Sequence, residues 1–363
     1  MRRLPTLEER RQALETCVYC PKLCRSACPV SNAEPSETLI PQGKMSIAFF
    51  AARGDVPASG SFAATAWACT GCFGCRDACD HENDVAGTLL AARAALRSAG
   101  GAPAAAQEVV RSFSRHDDET AAKARDRLGG RSTRGADTVV LPGCTYLRRF
   151  PEIADDVVRG AAALAGPIEV HEGCCGLPLL LAGDAEGFAR VAGGLRDRVA
   201  GRRLVVGDPG CAHALRVRGP EHGVAPGGAV DTLVELAAQD PERLGRIPGV
   251  GERPVRFSDP CVLARGLGVI DAPRVVLARA LGRAPDEFVH AREGSTCTGG
   301  GGLLPVTWPE IARGIARARI GEHGEAGGGE IVAGCASGLR SLRAGGAEVS
   351  DIATWIARAL DAG

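Results

Sequence analysis

The stretch "CTGCFGCRDACD", Cys69–Asp80, sets its cysteines at Cys69, Cys72, Cys75 and Cys79, two, two and three residues apart. That spacing lets three thiolates of one loop grip three irons of a cubane while the fourth reaches a second cluster. An earlier run, "CVYCPKLCRSACP", Cys17–Pro29, carries Cys17, Cys20, Cys24 and Cys28, with one extra residue between its second and third cysteines. A bulged loop absorbs that residue. Paired runs therefore predict two 4Fe-4S clusters, one on Cys17, Cys20, Cys24 and Cys79, the other on Cys69, Cys72, Cys75 and Cys28. Pro29 follows the first run, whereas Asp80 takes the corresponding position after the second; the proline turns the backbone and is no ligand. Zinc is the rival reading, but a four-thiolate zinc site uses two CxxC pairs set well apart and leaves the extra cysteines of each run idle.

The rest of the composition agrees with a redox protein of the cytoplasm. The chain has 363 residues, enough for two or three domains, and 45% of them are apolar. No apolar run is long enough to span a bilayer, and "MRRLPTLEERRQALET" has no apolar segment of the export type. Cytoplasmic cysteine clusters usually hold metal, because disulfides are rare there. A formal net charge of zero argues against a nucleic-acid binder. Only three of the 43 basic residues are Lys, an Arg excess that reads as coding bias.

Around the cysteine runs the pattern is helical. Gly43–Ala52, Phe62–Ala68, Val85–Ala99 and Ala104–Leu128 carry apolar residues at helical spacing, and Thr6 with Glu9 reads as a capping box ahead of Cys17. Residues 10–100 resemble the α-helical ferredoxin module of succinate dehydrogenase and heterodisulfide reductase iron–sulfur subunits.

Beyond the polar linker "LGGRSTRGAD", Leu128–Asp137, β-branched runs alternate with Ala/Leu/Arg helices, an α/β texture. The segment repeats. "TVVLPGC" at Cys144 matches "VRFSDPC" at Cys261, "EGCCGLP" at Cys174 and Cys175 matches "EGSTCTGGGG" at Cys297, and "VVGDPGC", ending at Cys211, matches "VAGCASG", which sets Cys335 opposite Asp208. Each cysteine is expected just after a strand, where the loops of two facing copies would bring seven cysteines to one region. "CCGLP", "DPGCAHAL", "DPCVLARGLGVIDAPRVVL" and "CTGGGG" are similar to the twin cysteine-rich CCG domains of the heterodisulfide reductase family, over residues 137–345. That family includes iron–sulfur subunits of glycolate oxidase, lactate utilisation and anaerobic glycerol-3-phosphate dehydrogenase. The fullest family motif has five cysteines per copy. Here Asp208 stands at one such position of the first copy, and Thr298 and Gly338 at two of the second. The resemblance implies a further cluster on Cys144, Cys174, Cys175 and Cys211, with Asp208 as a candidate oxygen ligand, and leaves Cys261, Cys297 and Cys335 short of a full set. The alternative is that some of these thiols pack as small buried hydrophobes.

The expected architecture is an α-helical ferredoxin-like domain with two 4Fe-4S sites over 1–127, followed by an α/β cysteine-rich domain of two pseudo-symmetric repeats, 137–250 and 251–363. "GGGG", Gly299–Gly302, and "GLGVID", Gly266–Asp271, lack the lysine or the third glycine of nucleotide loops and read as tight turns beside cysteines, so no flavin or nicotinamide is expected on the chain itself. His81, His171, His213 and His290 lie near cysteine loops without an assigned role. The family resemblance implies an electron-transfer component of an oxidoreductase. It would work between an FAD-linked 2-hydroxyacid or glycerol-phosphate dehydrogenase subunit and a quinone at the inner membrane surface, or a disulfide. The alternatives are a disulfide reductase with its own CCG-domain cluster, and a non-redox metal-binding scaffold. Catalytic residues, substrate and direction of electron flow are not legible.

Overall fold

The computed structural model describes every residue from Met1 to Gly363. Contacts divide the chain into two compact units, each assembled from separate segments. One comprises Met1–Ser112, Pro178–Gly187 and Thr296–Ile320; the other comprises Phe113–Leu177, Phe188–Ser295 and Gly321–Gly363.

The first unit is helical. Its central helix, Pro41–Arg53, starts on a proline, whose missing N–H costs nothing in the first turn, and stops at Gly54 in the left-handed region. The helices Arg11–Val18 and Val85–Ser98 pack on it, the latter capped by Asp84, which accepts from the Gly87 N–H at 2.9 Å. Leu7, Leu14, Met45, Phe49, Trp67, Leu89 and Leu96 fill the core between them. Each such large apolar side chain contributes roughly 1.5–3 kcal/mol by leaving water. The expected capping box is absent. Pro5 already opens a 3-10 turn, Pro5–Arg10, whose cap position is Leu4 without a side-chain bond. The expected helix over 104–128 breaks at Ser112 into Ala104–Arg111 and Phe113–Leu128. A second small core, of Val30, Leu39, Ala68, Leu304, Ile311 and Ile315, joins the first cysteine run to the segment after "GGGG". That glycine run does approach cysteine backbone closely. A Cβ on Gly302, whose φ is +66°, would lie 2.1 Å from the Cys69 carbonyl oxygen.

The second unit holds two parallel sheets. Strands β1 (Thr138–Leu141), β2 (Ile168–Val170), β3 (Arg203–Val206) and β4 (Val230–Thr232) lie in the order β2-β1-β3-β4. Strands β5 (Val255–Ser258), β6 (Glu330–Ala333) and β7 (Val349–Asp351) lie in the order β5-β6-β7. Register pairs Val140 with Val205 and Val332 with Ser350. β1 and β5 are buried along their whole length, as strands with helices on both faces must be. The helix Pro151–Ala165 packs on Ile352–Ala362, and Leu233–Gln239 packs on Ala272–Leu281. Cys144 follows β1, Cys174 and Cys175 follow β2, Cys211 follows β3, Cys261 follows β5 and Cys335 follows β6. Cys297 departs from the expected pattern. The strand expected before it is reduced to a single bridge between Arg256 and Asp286, and Cys297 itself belongs to the first unit. The second unit therefore holds six of the seven cysteines expected together.

Candidate metal centres

The first cysteine run begins at the end of the helix Arg11–Val18, turns through Lys22 in the left-handed region, and ends with Cys28 ahead of the helix Pro29–Ala33. The second run turns through Gly71 and Phe73, also left-handed. These turns aim backbone N–H groups at sulfur: Lys22 donates to Cys20 Sγ and Gly71 to Cys69 Sγ, each at 3.4 Å. Concave turns of this kind favour anions.

Electrostatic coupling sorts the eight thiols into two sets. Burial pushes Cys17 up to about 12, with the charges of Cys24, Cys20 and Cys79 adding to it. Burial likewise raises Cys24 to about 11, with Cys79 and Cys20 the main charges opposing its ionisation and Cys28 a smaller one. Burial raises Cys75, reinforced by Cys72, Cys69 and Cys28. Cys79 thus acts on Cys17 and Cys24 of the first run, and Cys28 acts both on Cys75 of the second run and, more weakly, on Cys24. Four thiols held this close cannot all ionise against one another without a cation between them.

Two buried cations stand beside the second set. Lys44 is 1% exposed, donates to the Ala68 carbonyl at 2.8 Å, and lies 3.7 Å from Cys28 Sγ. Burial opposes its charge, yet Cys28, Cys69, Cys75 and Cys72 together raise its pKa above the ordinary lysine value. Arg93, 2% exposed, donates to the carbonyls of Ala66, Cys69, Leu181 and Gly302 at 2.9–3.0 Å. Neither pairs with a carboxylate; the anions that act on them are thiolates. The first set has instead a neutral donor, Asn83, whose amide bonds Cys17 Sγ at 3.1 Å and the Ala13 carbonyl at 2.7 Å. Soft thiolate donors in fours, with a buried cation lacking any carboxylate, fit an anionic iron–sulfur cluster. Lys44, Arg93 and Asn83 were not singled out from sequence. The available signal was Lys44 itself, one of three lysines and set within an apolar helical stretch.

In the second unit Cys144, Cys174, Cys175 and Cys211 are linked thiol to thiol, with Cys175 Sγ 3.2 Å from Cys211 Sγ. A hydrogen bond from Cys174 and, against burial, the neighbouring His116 hold Cys144 down at about 6, while Cys174 is pushed up by Cys144 and Cys175. His116, on the helix Phe113–Leu128, brings its ring within 4.8 Å of the Cys144 and Cys174 sulfurs, and its Nε2 is buried without a hydrogen-bond partner. The adjacent Asp117 accepts from the Cys174 N–H at 2.7 Å. Sequence reading passed over His116 because it sits on a polar helix far from any cysteine motif. The Asp208 carboxylate accepts from the Gly210 N–H at 2.8 Å and the Ala336 N–H at 2.9 Å. Cys335 accepts from the Gly338 N–H at 3.2 Å, and in the first unit Cys297 accepts from the Gly299 N–H at 3.3 Å. His171 is buried, which lowers it to about 4.

Residues 13–83 match the 4Fe-4S dicluster domain, and residues 255–343 match the cysteine-rich CCG domain. Over 321 residues the chain is 26% identical to a subunit of the fumarate reductase (CoM/CoB) of Methanothermobacter marburgensis, covering 84% of this chain and 62% of that protein. Over 199 residues it is 27% identical to a subunit of the dihydromethanophenazine:CoB--CoM heterodisulfide reductase of Methanosarcina mazei, covering 51% of this chain and 48% of that one. The chain thus pairs a 4Fe-4S dicluster domain with a cysteine-rich CCG domain and is similar to subunits named for fumarate reductase and heterodisulfide reductase. A shorter match, 38% identity over 126 residues, is to a probable membrane-anchored ferredoxin of Chromohalobacter salexigens, covering 33% of this chain and 18% of that protein. The chain thus spans less than two thirds of the length of each of these relatives. The 4Fe-4S dicluster domain over residues 13–83 implies two 4Fe-4S clusters. No helix is long and apolar enough to cross a membrane.

Proposed function

We propose that this heterodisulfide reductase-like chain is the electron-transfer subunit of an oxidoreductase complex. Cys17, Cys20, Cys24 and Cys79 hold one 4Fe-4S cluster, and Cys69, Cys72, Cys75 and Cys28 hold the other. The observation that carries the reading is that both cysteine runs lie within the 4Fe-4S dicluster match over residues 13–83, and the charge of Cys79 on Cys17 and Cys24 and of Cys28 on Cys75 supports each set drawing a member from the opposite run. Bound clusters supply one-electron transfer, which lets the two electrons of a flavin be taken singly. The chain's own residues fix the thiols, aim backbone N–H groups at sulfur, and supply buried positive charge beside one set.

The proposed organisation is a ferredoxin-like module over 1–127 and two CCG repeats, 137–250 and 251–363. The shared strand order supports the repeats: the Asp286 bridge flanks β5 as β2 flanks β1, and β6 and β7 follow as β3 and β4 do. By family resemblance the donor is an FAD-linked 2-hydroxyacid or glycerol-phosphate dehydrogenase subunit and the acceptor a quinone or a disulfide, in the cytoplasm or at the inner face of the membrane. A second reading, reduction of a disulfide in the CCG domain, is favoured by the four contiguous thiols of Cys144, Cys174, Cys175 and Cys211, and by relatives named for the CoB--CoM heterodisulfide. There the four thiols, with His116 at their edge, would hold the further metal centre.

The crossed ligand sets have a direct test. Cys79→Ser is expected to alter the electron paramagnetic resonance signal of the cluster on Cys17, Cys20 and Cys24, and Cys28→Ser that of the cluster on Cys69, Cys72 and Cys75. Damage confined to the cluster of each cysteine's own run would refute the crossing.

A further inference from the structure

The two thiol sets sit in unlike electrostatic surroundings, and this difference goes beyond the assignment of ligands on which it rests. The set of Cys28, Cys69, Cys72 and Cys75 has Lys44 against it, buried, fixed by the Ala68 carbonyl and free of any carboxylate. Arg93 adds a second buried cation at the Cys69 carbonyl. The set of Cys17, Cys20, Cys24 and Cys79 has the neutral Asn83 amide. The cations on the two cysteine loops, Lys22 and Arg25 beside the first run and Arg76 beside Cys75, lie at or near the surface and pair with Glu37 and Asp77. Surface charges of that kind are screened by water and salt, whereas a buried charge acts through a medium of low polarity.

A cluster gains one negative charge when it accepts an electron, so a fixed cation beside it favours the reduced form and raises its potential. We infer that Lys44 sets the order of filling: an electron entering the module rests on the cluster of Cys28, Cys69, Cys72 and Cys75, and the cluster of Cys17, Cys20, Cys24 and Cys79 is the lower-potential member of the pair. The asymmetry gives electron flow within the module a downhill end, located at the cysteine loop that Gly301 and Gly302 cover.

The test is an anaerobic redox titration of the full chain followed by electron paramagnetic resonance, with the two signals assigned through the Cys79→Ser and Cys28→Ser variants. In the unmodified protein the Cys28-linked signal is expected to appear first as the potential falls. Lys44→Met removes the charge, and Lys44→Gln removes it while keeping a donor for the Ala68 carbonyl. Both are expected to lower the reduced-to-oxidised ratio of that cluster at fixed potential by about tenfold, ~59 mV for a one-electron couple, and to move the other cluster much less. Fusion of the two midpoints, or reversal of their order, would agree with the inference. If the Cys17-linked signal appears first in the unmodified protein, or the Lys44 variants leave the gap between midpoints unchanged, the inference is wrong. A protein with only one signal would overturn the ligand assignment itself.

Discussion

Arg93→Met is expected to cost the first unit on the order of 4 kcal/mol or more. The guanidinium donates to four main-chain carbonyls drawn from three separate stretches: Ala66 and Cys69 beside the second cysteine run, Leu181, and Gly302. It also lies 5.9 Å over the Trp67 ring. Methionine refills most of the volume but donates nothing, so the buried Ala66 and Gly302 oxygens are left unpaired and those of Leu181 and Cys69 lose their donor. Each lost charge-assisted bond is worth roughly 1.5–3 kcal/mol, offset in part by relief of a buried charge. Urea unfolding of the full chain followed by loss of helical signal checks this. A midpoint shift equivalent to less than about 1 kcal/mol would show that these carbonyls find other partners.

Asp351→Asn is expected to make the second unit more stable at pH 8 by a few kcal/mol, with the gain shrinking toward pH 5. Asp351 is fully buried, accepts the Tyr146 hydroxyl at 2.7 Å and the Ala353 N–H at 3.0 Å, and has Asp208 as an electrostatic neighbour. Burial raises its carboxyl to about 7, and the Asp208 charge adds to that against the bonds from Ala353 and Tyr146. An ordinary carboxyl in the unfolded chain titrates near about 3.9. The folded state therefore holds the proton more tightly. Its contribution is fully present below the unfolded value and is lost as pH rises through about 7. Every pH unit separating the folded from the unfolded value corresponds to about 1.4 kcal/mol. Asparagine is neutral throughout; its single amide oxygen can keep accepting from the Ala353 N–H while its NH2 donates to the Tyr146 hydroxyl oxygen, so the variant should lack this slope. The measurement is the difference in unfolding free energy between variant and unmodified protein at several pH values, which cancels effects common to both. A difference that does not change with pH would contradict the account.

What could be read from the residues followed from local pattern. The x2 and x3 cysteine spacings, the β-branched runs ending in cysteine, and the proline and glycine bounding Pro41–Arg53 act over a few residues each. They therefore appear in the sequence. Lys44, Arg93 and His116 do not announce themselves, because their roles depend on which distant backbone or sulfur the fold delivers to them. Arg93 looks like one more arginine of a helix, yet it is the donor to Gly302, more than two hundred residues away. Cys297 was misjudged for a related reason. Its repeat partner follows a strand, but the stretch before Cys297 pairs through Asp286 alone, and the residues after it are covered by the core of Leu304, Ile311 and Ile315. Asp208, considered from its motif as a metal ligand, is occupied by two backbone N–H groups. Its bond to the Ala336 N–H, at the start of the helix that Cys335 caps, is a use no motif records.

The central claim is that two sets of four thiolates hold iron–sulfur clusters in this chain. Iron, acid-labile sulfide and zinc should be measured together on the full-length protein purified without oxygen. About eight irons and about eight sulfides per chain are expected from the dicluster module, with more of each if the CCG thiols also hold a cluster. Stoichiometric zinc in their place, with iron and sulfide near zero, would contradict it.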